Sequence, residues 1–259
     1  MEKEYYVDRL KIKKYSSRKE MGAAAAVEVG QMLRHLLEHK ELVSVVFASA
    51  PSQNEFLDGL RNYQGIDWSR VVAFHMDEYI GLEAVHPQSF AYFLNDRLFS
   101  HVPISKVFYI DGCAQNVEEE CKRYEQLLKE YKVDIVCMGI GENTHIAFND
   151  PHVADFSDPK WVKVVDLDEA SRRQQVNDGC FERIEQVPTH ALTLTIPALL
   201  SGAHLFCIVP GKNKAIAVQQ TLYEDISELY PSTVLRKHDN AILYLDAESA
   251  SRVVMKDVT

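Results

Sequence analysis

Nowhere do the roughly eighteen consecutive apolar residues of a membrane-spanning helix run together, and the opening MEKEYYVDRLKIKK is charged, without the apolar stretch of a secretory leader. The expectation is a soluble, cytoplasmic protein with no membrane partner. Cysteine is sparse. Five residues (Cys113, Cys121, Cys137, Cys180, Cys207) form an odd, scattered set with no C-x-x-C pair, which excludes a disulfide framework or a zinc ribbon and reads as free thiols in a reducing compartment. Cys137 and Cys207 lie in apolar runs and are expected in the core. Basic residues are outnumbered, 28 Lys and Arg against 38 Asp and Glu, for a formal charge of -10. Nucleic acid is therefore excluded as the main partner, and any phosphate site must be local. Glycine and proline number only 11 and 9, and no Pro/Gly/Ser-rich linker, repeat or low-complexity tract divides the chain.

What is there is an alternation. Ser17-Arg-Lys-Glu20 has capping-box spacing and precedes apolar positions Met21, Ala25, Val29, Met32, Leu33 and Leu36, the period of an amphipathic helix. A short β-branched run, 43–48, then fits a buried strand, and Ser52-Gln-Asn-Glu55 opens a second helix. Further strands are expected at 71–74, 107–110, 134–138, 161–165, 191–196, 205–209 and 241–245, with helices at 89–99, 117–131 and 213–223. Strands alternating with helices predict an α/β fold with a mostly parallel sheet covered on both faces. Ligands in such sheets bind beyond the carboxyl ends of the strands, where strand order reverses. Four loops qualify: 49–53, 75–81, 139–151 and 210–214.

The stretch Phe74-His-Met-Asp77-Glu78-Tyr79 sets two carboxylates directly after a strand, where one can serve as a general base; alone, such residues more often begin a loop or cap a helix. In Met138-Gly-Ile-Gly-Glu-Asn-Thr-His145-Ile-Ala-Phe-Asn-Asp150-Pro151, Gly139 and Gly141 invite a dinucleotide reading, but Thr144 occupies the third glycine position and polar residues stand where a helix should open, so that reading fails. His145 instead shares a short loop with Asn143, Asn149 and Asp150, neighbours able to orient an imidazole for proton transfer near neutral pH. Pro210-Gly-Lys212-Asn213-Lys214, at a strand end and helix start, suits a phosphate as well as it suits a solvated helix N-terminus, and no Walker frame is present. His75, His145 and His152 fall in no recognised metal-ligand spacing, so a metal is not expected.

Together, FHMDEYIGL, HPQSF, GIGENTHIAFNDP, VPTHALTLTIPALL and VPGKNKA, in this order, resemble the motif series of the glucosamine-6-phosphate deaminase/isomerase family, over about residue 43 to the C-terminal strand. The resemblance implies a single three-layer Rossmann-like α/β domain over residues 1–259. It also implies a cofactor-free aldose-to-ketose isomerisation with loss of ammonia from an amino-sugar phosphate, glucosamine 6-phosphate first. By it Asp77 moves a proton between C2 and C1, His145 assists ring opening with Asn143 and Asp150 as its relay, and Lys214 holds phosphate. Three departures are visible. The family's T-G-[GS]-T-P phosphate loop reads Ser49-Ala-Pro-Ser52-Gln53 here; Asn143 and Asp150 stand where Asp and Glu are usual; and the phosphate arginine has only Arg172 and Arg173 as candidates. Ser49 and Ser52 remain phosphate-loop candidates, Ser52 equally as a helix cap. The alternatives are a 6-phosphogluconolactonase-like hydrolase and a non-catalytic sugar-phosphate-binding protein; the family's range, from monomers to larger assemblies, admits a homo-oligomer. A sugar-phosphate-sensing transcription regulator would need a DNA-binding module and a basic face, which this chain lacks.

Overall fold

The computed structural model describes residues 3–253. In chain order these form β1 (Lys3–Val7), β2 (Leu10–Lys14), α1 (Arg18–Leu37), β3 (Val43–Phe47), α2 (Asn54–Arg61), β4 (Val71–His75), β5 (Asp77–Tyr79), α3 (Phe90–Arg97), β6 (Lys106–Phe108), α4 (Val117–Tyr131), β7 (Ile135–Met138), β8 (Val162–Asp166), α5 (Glu169–Asn177), β9 (His190–Leu194), α6 (Ile196–Leu200), β10 (His204–Val209), α7 (Ala215–Tyr223) and β11 (Ala241–Leu245). An eight-stranded sheet has the order β1-β2-β11-β10-β7-β3-β4-β6, and every pairing in it is parallel except the β1–β2 hairpin.

Side-chain alternation explains why both faces are covered. Val43, Val45 and Phe47 of β3, with Ile135 and Cys137 of β7, meet α1 and α2 on one face. Val46, Val136 and Met138 meet α4, α6 and α7 on the other. Cys137 and Cys207 are buried in these layers, as their apolar context predicts. Ser17 caps α1 as its spacing predicts, accepting from the Glu20 amide at 3.3 Å, and Asn116 does the same for α4.

The sequence places the segments at 161–165 and 191–196 in the same run of alternating elements, but β8 and β9 belong instead to a separate three-stranded antiparallel sheet, ordered β5-β9-β8. Composition does not distinguish the two settings, because β8 and β9 also bury apolar residues on both sides. Leu192 and Leu194 join the α4 layer, while Ala191 and Val165 pack with Tyr79, Phe90, Phe148 and Phe181 in a smaller cluster. The expected helix start at Ser52 is a 3-10 turn, Pro51–Gln53, ahead of α2. Ser52 is not a cap there, since Glu55 is drawn to Arg18 at 2.7 Å.

Strand order locates the crevice. From β3 the sheet grows one way through β4 and β6 and the other through β7, β10 and β11, so the reversal lies between β3 and β7. The loops leaving those two strands therefore face each other across a gap, and the small sheet closes over it.

Candidate active site

A cleft opens at this reversal, lined by parts of all four loops that the sequence singles out and by α5. Asp77, His145, Ser49, Ser52 and Lys214 all contribute to its wall.

Asp77 begins β5 immediately after β4, and its backbone is fixed by an unusual clamp. His75, fully buried, accepts the Ile110 amide on Nε2 at 2.9 Å, so its proton sits on Nδ1, 2.8 Å from the Asp77 carbonyl. Burial holds this imidazole neutral, with a pKa lowered to about 4. The Asp77 carboxylate itself makes no hydrogen bond among the described residues; burial, and secondarily the neighbouring Glu78, raise its pKa well above the ordinary carboxylate range. Glu78 has a different task. Its carboxylate accepts the amides of Tyr79 at 2.9 Å, Phe90 at 3.1 Å and Ala91 at 2.9 Å, and so ties the small sheet to the start of α3. Burial still lifts its pKa to about 7, against the pull of those three amides.

His145 hangs in a tight loop. Thr144 and Ala147 on either side adopt φ of 70° and 49°, a region that costs a β-branched residue energy and marks a position held by its surroundings. Asn149 staples the loop to the small sheet by donating to the carbonyls of Ile146 at 3.0 Å and Leu194 at 2.8 Å. Beneath the ring lies Gly141, where an added Cβ would come within 2.2 to 2.4 Å of the imidazole.

The tautomer follows from the neighbours. Asn143 Nδ2 donates to Asp150 Oδ1 at 2.9 Å and to Asp168 Oδ2 at 3.2 Å, which turns its oxygen toward His145 Nδ1 at 2.7 Å. An amide oxygen only accepts, so Nδ1 carries the proton and Nε2 is left as the ring nitrogen without a partner among the described residues. Asp150 lies 2.9 Å from the same Nδ1. Although burial opposes it, the imidazole, Ser171 and Asn143 hold the Asp150 carboxyl well below the usual carboxylate range.

Ser171 is a residue that the sequence reasoning passes over. It is buried, donates to Asp150 Oδ1 at 2.5 Å, and presents a lone pair to His145 Nδ1 at 2.9 Å. It stands on α5, which the periodicity does not predict. One face of that helix is given to the histidine loop: Asp168 caps its start and receives Asn143, Ser171 meets the relay, and Gln174 accepts the Glu142 amide at 2.9 Å. The available signal was Asp168 three residues before Ser171, a capping arrangement.

Lys214 is buried, and its ammonium makes no ion pair or hydrogen bond among the described residues. Burial lowers its pKa, with Asp178 and Glu142 pulling the other way. A buried cation without an anion, facing a cleft, is a site for one. In the 49–53 loop the amides of Gln53 and Asn54 bond back to the carbonyls of Ala50 and Pro51, Pro51 has no N–H, and the Ser49 hydroxyl, buried without a partner among the described residues, stands in the cleft wall.

The two arginine candidates are corrected by their positions. Arg172 donates to the carbonyls of Ile184 at 2.6 Å and Val187 at 3.0 Å, and Arg173 pairs with Glu169 on the outer face of α5. Neither lines the cleft, because both lie off the helix face that carries Ser171, Gln174 and Gln175. Two groups among the described residues bring metal-capable atoms within 4.8 Å of one another, His35/Glu38/His39 on an exposed helix end and Asp150/His152/Asp168. The second shares Asp150 with the relay.

The family model for glucosamine-6-phosphate isomerases/6-phosphogluconolactonase matches residues 16–244. The chain belongs to this family. Glucosamine-6-phosphate deaminases of Bacillus cereus strains G9842 and B4264 are 36% and 35% identical over 225 and 221 residues, covering 86% and 85% of this chain and 84% and 82% of theirs. A solved monomeric glucosamine-6-phosphate deaminase superposes with a TM-score of 0.85 at 30% identity, over 93% of this chain and 99% of that one. The 6-phosphogluconolactonase of Thermotoga maritima shares the fold, with a TM-score of 0.74 at 20% identity over 91% and 98%. This member of the glucosamine-6-phosphate isomerase/6-phosphogluconolactonase family is an enzyme. No helix among its described residues is long and apolar enough to cross a membrane.

Proposed function

We propose that the enzyme converts glucosamine 6-phosphate and water to fructose 6-phosphate and ammonia, by isomerisation coupled to deamination. The observation that carries this reading is the convergence on one cleft of an unbonded buried carboxylate (Asp77), an imidazole with Nε2 free (His145) and an unpaired buried ammonium (Lys214). Isomerisation next to an acidified C–H needs a rigidly placed base, and ring opening needs a proton carrier at the ring oxygen. His145 Nε2 serves the ring oxygen: the ring opens as O5 gains a proton and the C1 hydroxyl loses one. Asp77 then takes the proton from C2 and returns one to C1. The resulting C2 imine is hydrolysed by water, releasing ammonia and leaving the ketose. Lys214 anchors the phosphate so that C1 and C2 reach Asp77. Asn143, Asp150 and Ser171 hold the His145 tautomer. We place the reaction in the cytoplasm, from the free-thiol cysteine set and the sugar-phosphate substrate.

The test is ammonia and ketose-phosphate formation by purified enzyme, with Asp77→Asn as control and 6-phosphogluconolactone beside the amino sugar. Asp77-dependent ammonia release is the expected result. Lactone hydrolysis without ammonia release would replace this reading by the hydrolase, and binding without turnover of either by a sugar-phosphate-binding role.

A further inference from the structure

The deaminase reading leaves the cleft short of positive charge. Among the described residues Lys214 is the only lysine or arginine in its lining, and the carboxylates of Asp178 and Glu142 act on that one ammonium. The 49–53 loop turns its Gln53 and Asn54 amides inward, and Arg172 and Arg173 are engaged elsewhere. A phosphate here must be held largely by neutral donors.

Beside the Ser49 and Ser52 hydroxyls, a further side chain in the wall is free to be such a donor. Gln175 on α5 is more than nine-tenths buried and lines the cleft, yet its carboxamide makes no hydrogen bond among the described residues. Its neighbour Gln174 is engaged, accepting from Glu142 and donating to Asp178 at 3.3 Å. The amide keeps contact with the open cleft, so an unbonded carboxamide on an otherwise buried side chain in the wall is free to bond a ligand.

Its end of the cleft can be deduced. Glu142, which bonds Gln174, also accepts from Asn213 Nδ2 at 2.8 Å, directly beside Lys214. Asp178, one turn beyond Gln175, acts on the same ammonium. Gln174 therefore stands at the Lys214 end, and Gln175, next to it on α5, lines the same cleft as Lys214. Asp168, Ser171 and Gln174 pin the helix, so the amide is presented on a rigid support.

We propose that Gln175 is a substrate-binding and specificity residue, donating its carboxamide N–H to a phosphate oxygen of the sugar phosphate and partnering Lys214 there. The inference rests on the sugar-phosphate reading of the site. A neutral donor in place of a guanidinium forms a hydrogen bond without adding charge, so phosphate recognition depends on geometry more than on attraction.

The experiment pairs steady-state kinetics on glucosamine 6-phosphate with direct calorimetric titration of inorganic phosphate, for wild type, Gln175→Ala and Gln175→Glu. A hydrogen bond to a charged group corresponds to roughly a ten- to hundredfold change in affinity. For Gln175→Ala we expect KM and the phosphate dissociation constant to rise together by about tenfold or more, with kcat within about threefold. Gln175→Glu should abolish phosphate binding. Unchanged phosphate affinity in both variants would overturn the proposal, as would a fall in kcat at constant KM, which would move Gln175 to the reacting carbons. If Gln175→Ala does not fold, Gln175→Asn, which keeps the amide but withdraws it by one methylene, carries the same expectation. Wild-type enzyme that binds phosphate without deaminating the amino sugar would sink the functional reading alone, and the calorimetric comparison would still decide Gln175.

Discussion

The large sheet and the small sheet with α5 are built on opposite principles. In β3, β4, β7 and β10 nearly every side chain is buried, and most are aliphatic or aromatic. In the small sheet and α5 the buried positions include Asp77, Glu78, Thr193, Ser171, Gln174 and Gln175. One region is stabilised by burying apolar area and is indifferent to chemistry; the other spends stability on desolvated polar groups and thereby acquires reactive ones. A site at their seam receives rigidity from the first and chemistry from the second.

Substitutions should separate the two accordingly. The largest effect is expected for Asp77→Asn, which removes the base at nearly constant volume: kcat should fall at least about a hundredfold, with sugar-phosphate binding retained. Full turnover in this variant would end the assignment. In the wild type, the raised pKa of Asp77 means that the ionised base is lost at a higher pH than for an ordinary carboxylate, so the acid limb of kcat/KM should lie well above pH 4, and a pH-rate profile reads it. Leu243→Ala, in β11 on the large sheet, should instead cost about 2–5 kcal/mol of stability by denaturant titration while leaving kcat/KM of the folded fraction within about twofold. A large kinetic effect there would break the division of labour.

Smaller effects sharpen it. Ser171→Ala removes a hydroxyl that touches the relay and not the substrate, so kcat should drop about five- to tenfold with KM nearly unchanged, and Ser171→Thr should restore most of the loss. Glu78 gives the smallest signal, in stability. Its folded pKa of about 7 exceeds the ordinary 4.5, so between those values the unfolded chain has released a proton that the folded chain keeps. That contribution to stability is fully present below pH 4.5 and is lost as pH rises through 7. Chemical denaturation at pH 5 and pH 8 should show a weaker decline for Glu78→Gln than for wild type; an equal decline would mean that the carboxylate ionises freely in the folded protein.

The same contrast explains what was legible in the sequence. The strands and most helices of the large sheet announce themselves through apolar runs and 3.6-residue spacing, and Ser17 marks a helix start by its chemistry. Strand ends and motif order point to Asp77, His145 and Lys214. The α5 segment, EASRRQQVN, has almost no apolar period because the face it buries is polar, so hydrophobic patterning passes over it and Ser171 and Gln175 with it. Arg172 and Arg173 are candidates because the resemblance calls for a phosphate arginine in this stretch, and that carries no information about helix face. In the β1–β2 hairpin Leu10 and Ile12 alternate with lysines, but so short a charged segment gives no sign that it pairs with β11. Pairing direction for β8 and β9 was not legible, because buried strands look alike in either sheet.

The contact between Gly141 and the His145 ring bears on how this site can change by single substitutions. Any Cβ at position 141 would occupy the imidazole's space, so the floor under the histidine is closed to variation unless the ring itself moves. The walls are not closed in this way. Asn143 and Asp are nearly isosteric, and Ser171 and Thr differ by one methyl. New substrate preferences or proton affinities are therefore reachable one step at a time through the relay's sides and through α5, along routes that leave the position of His145 intact.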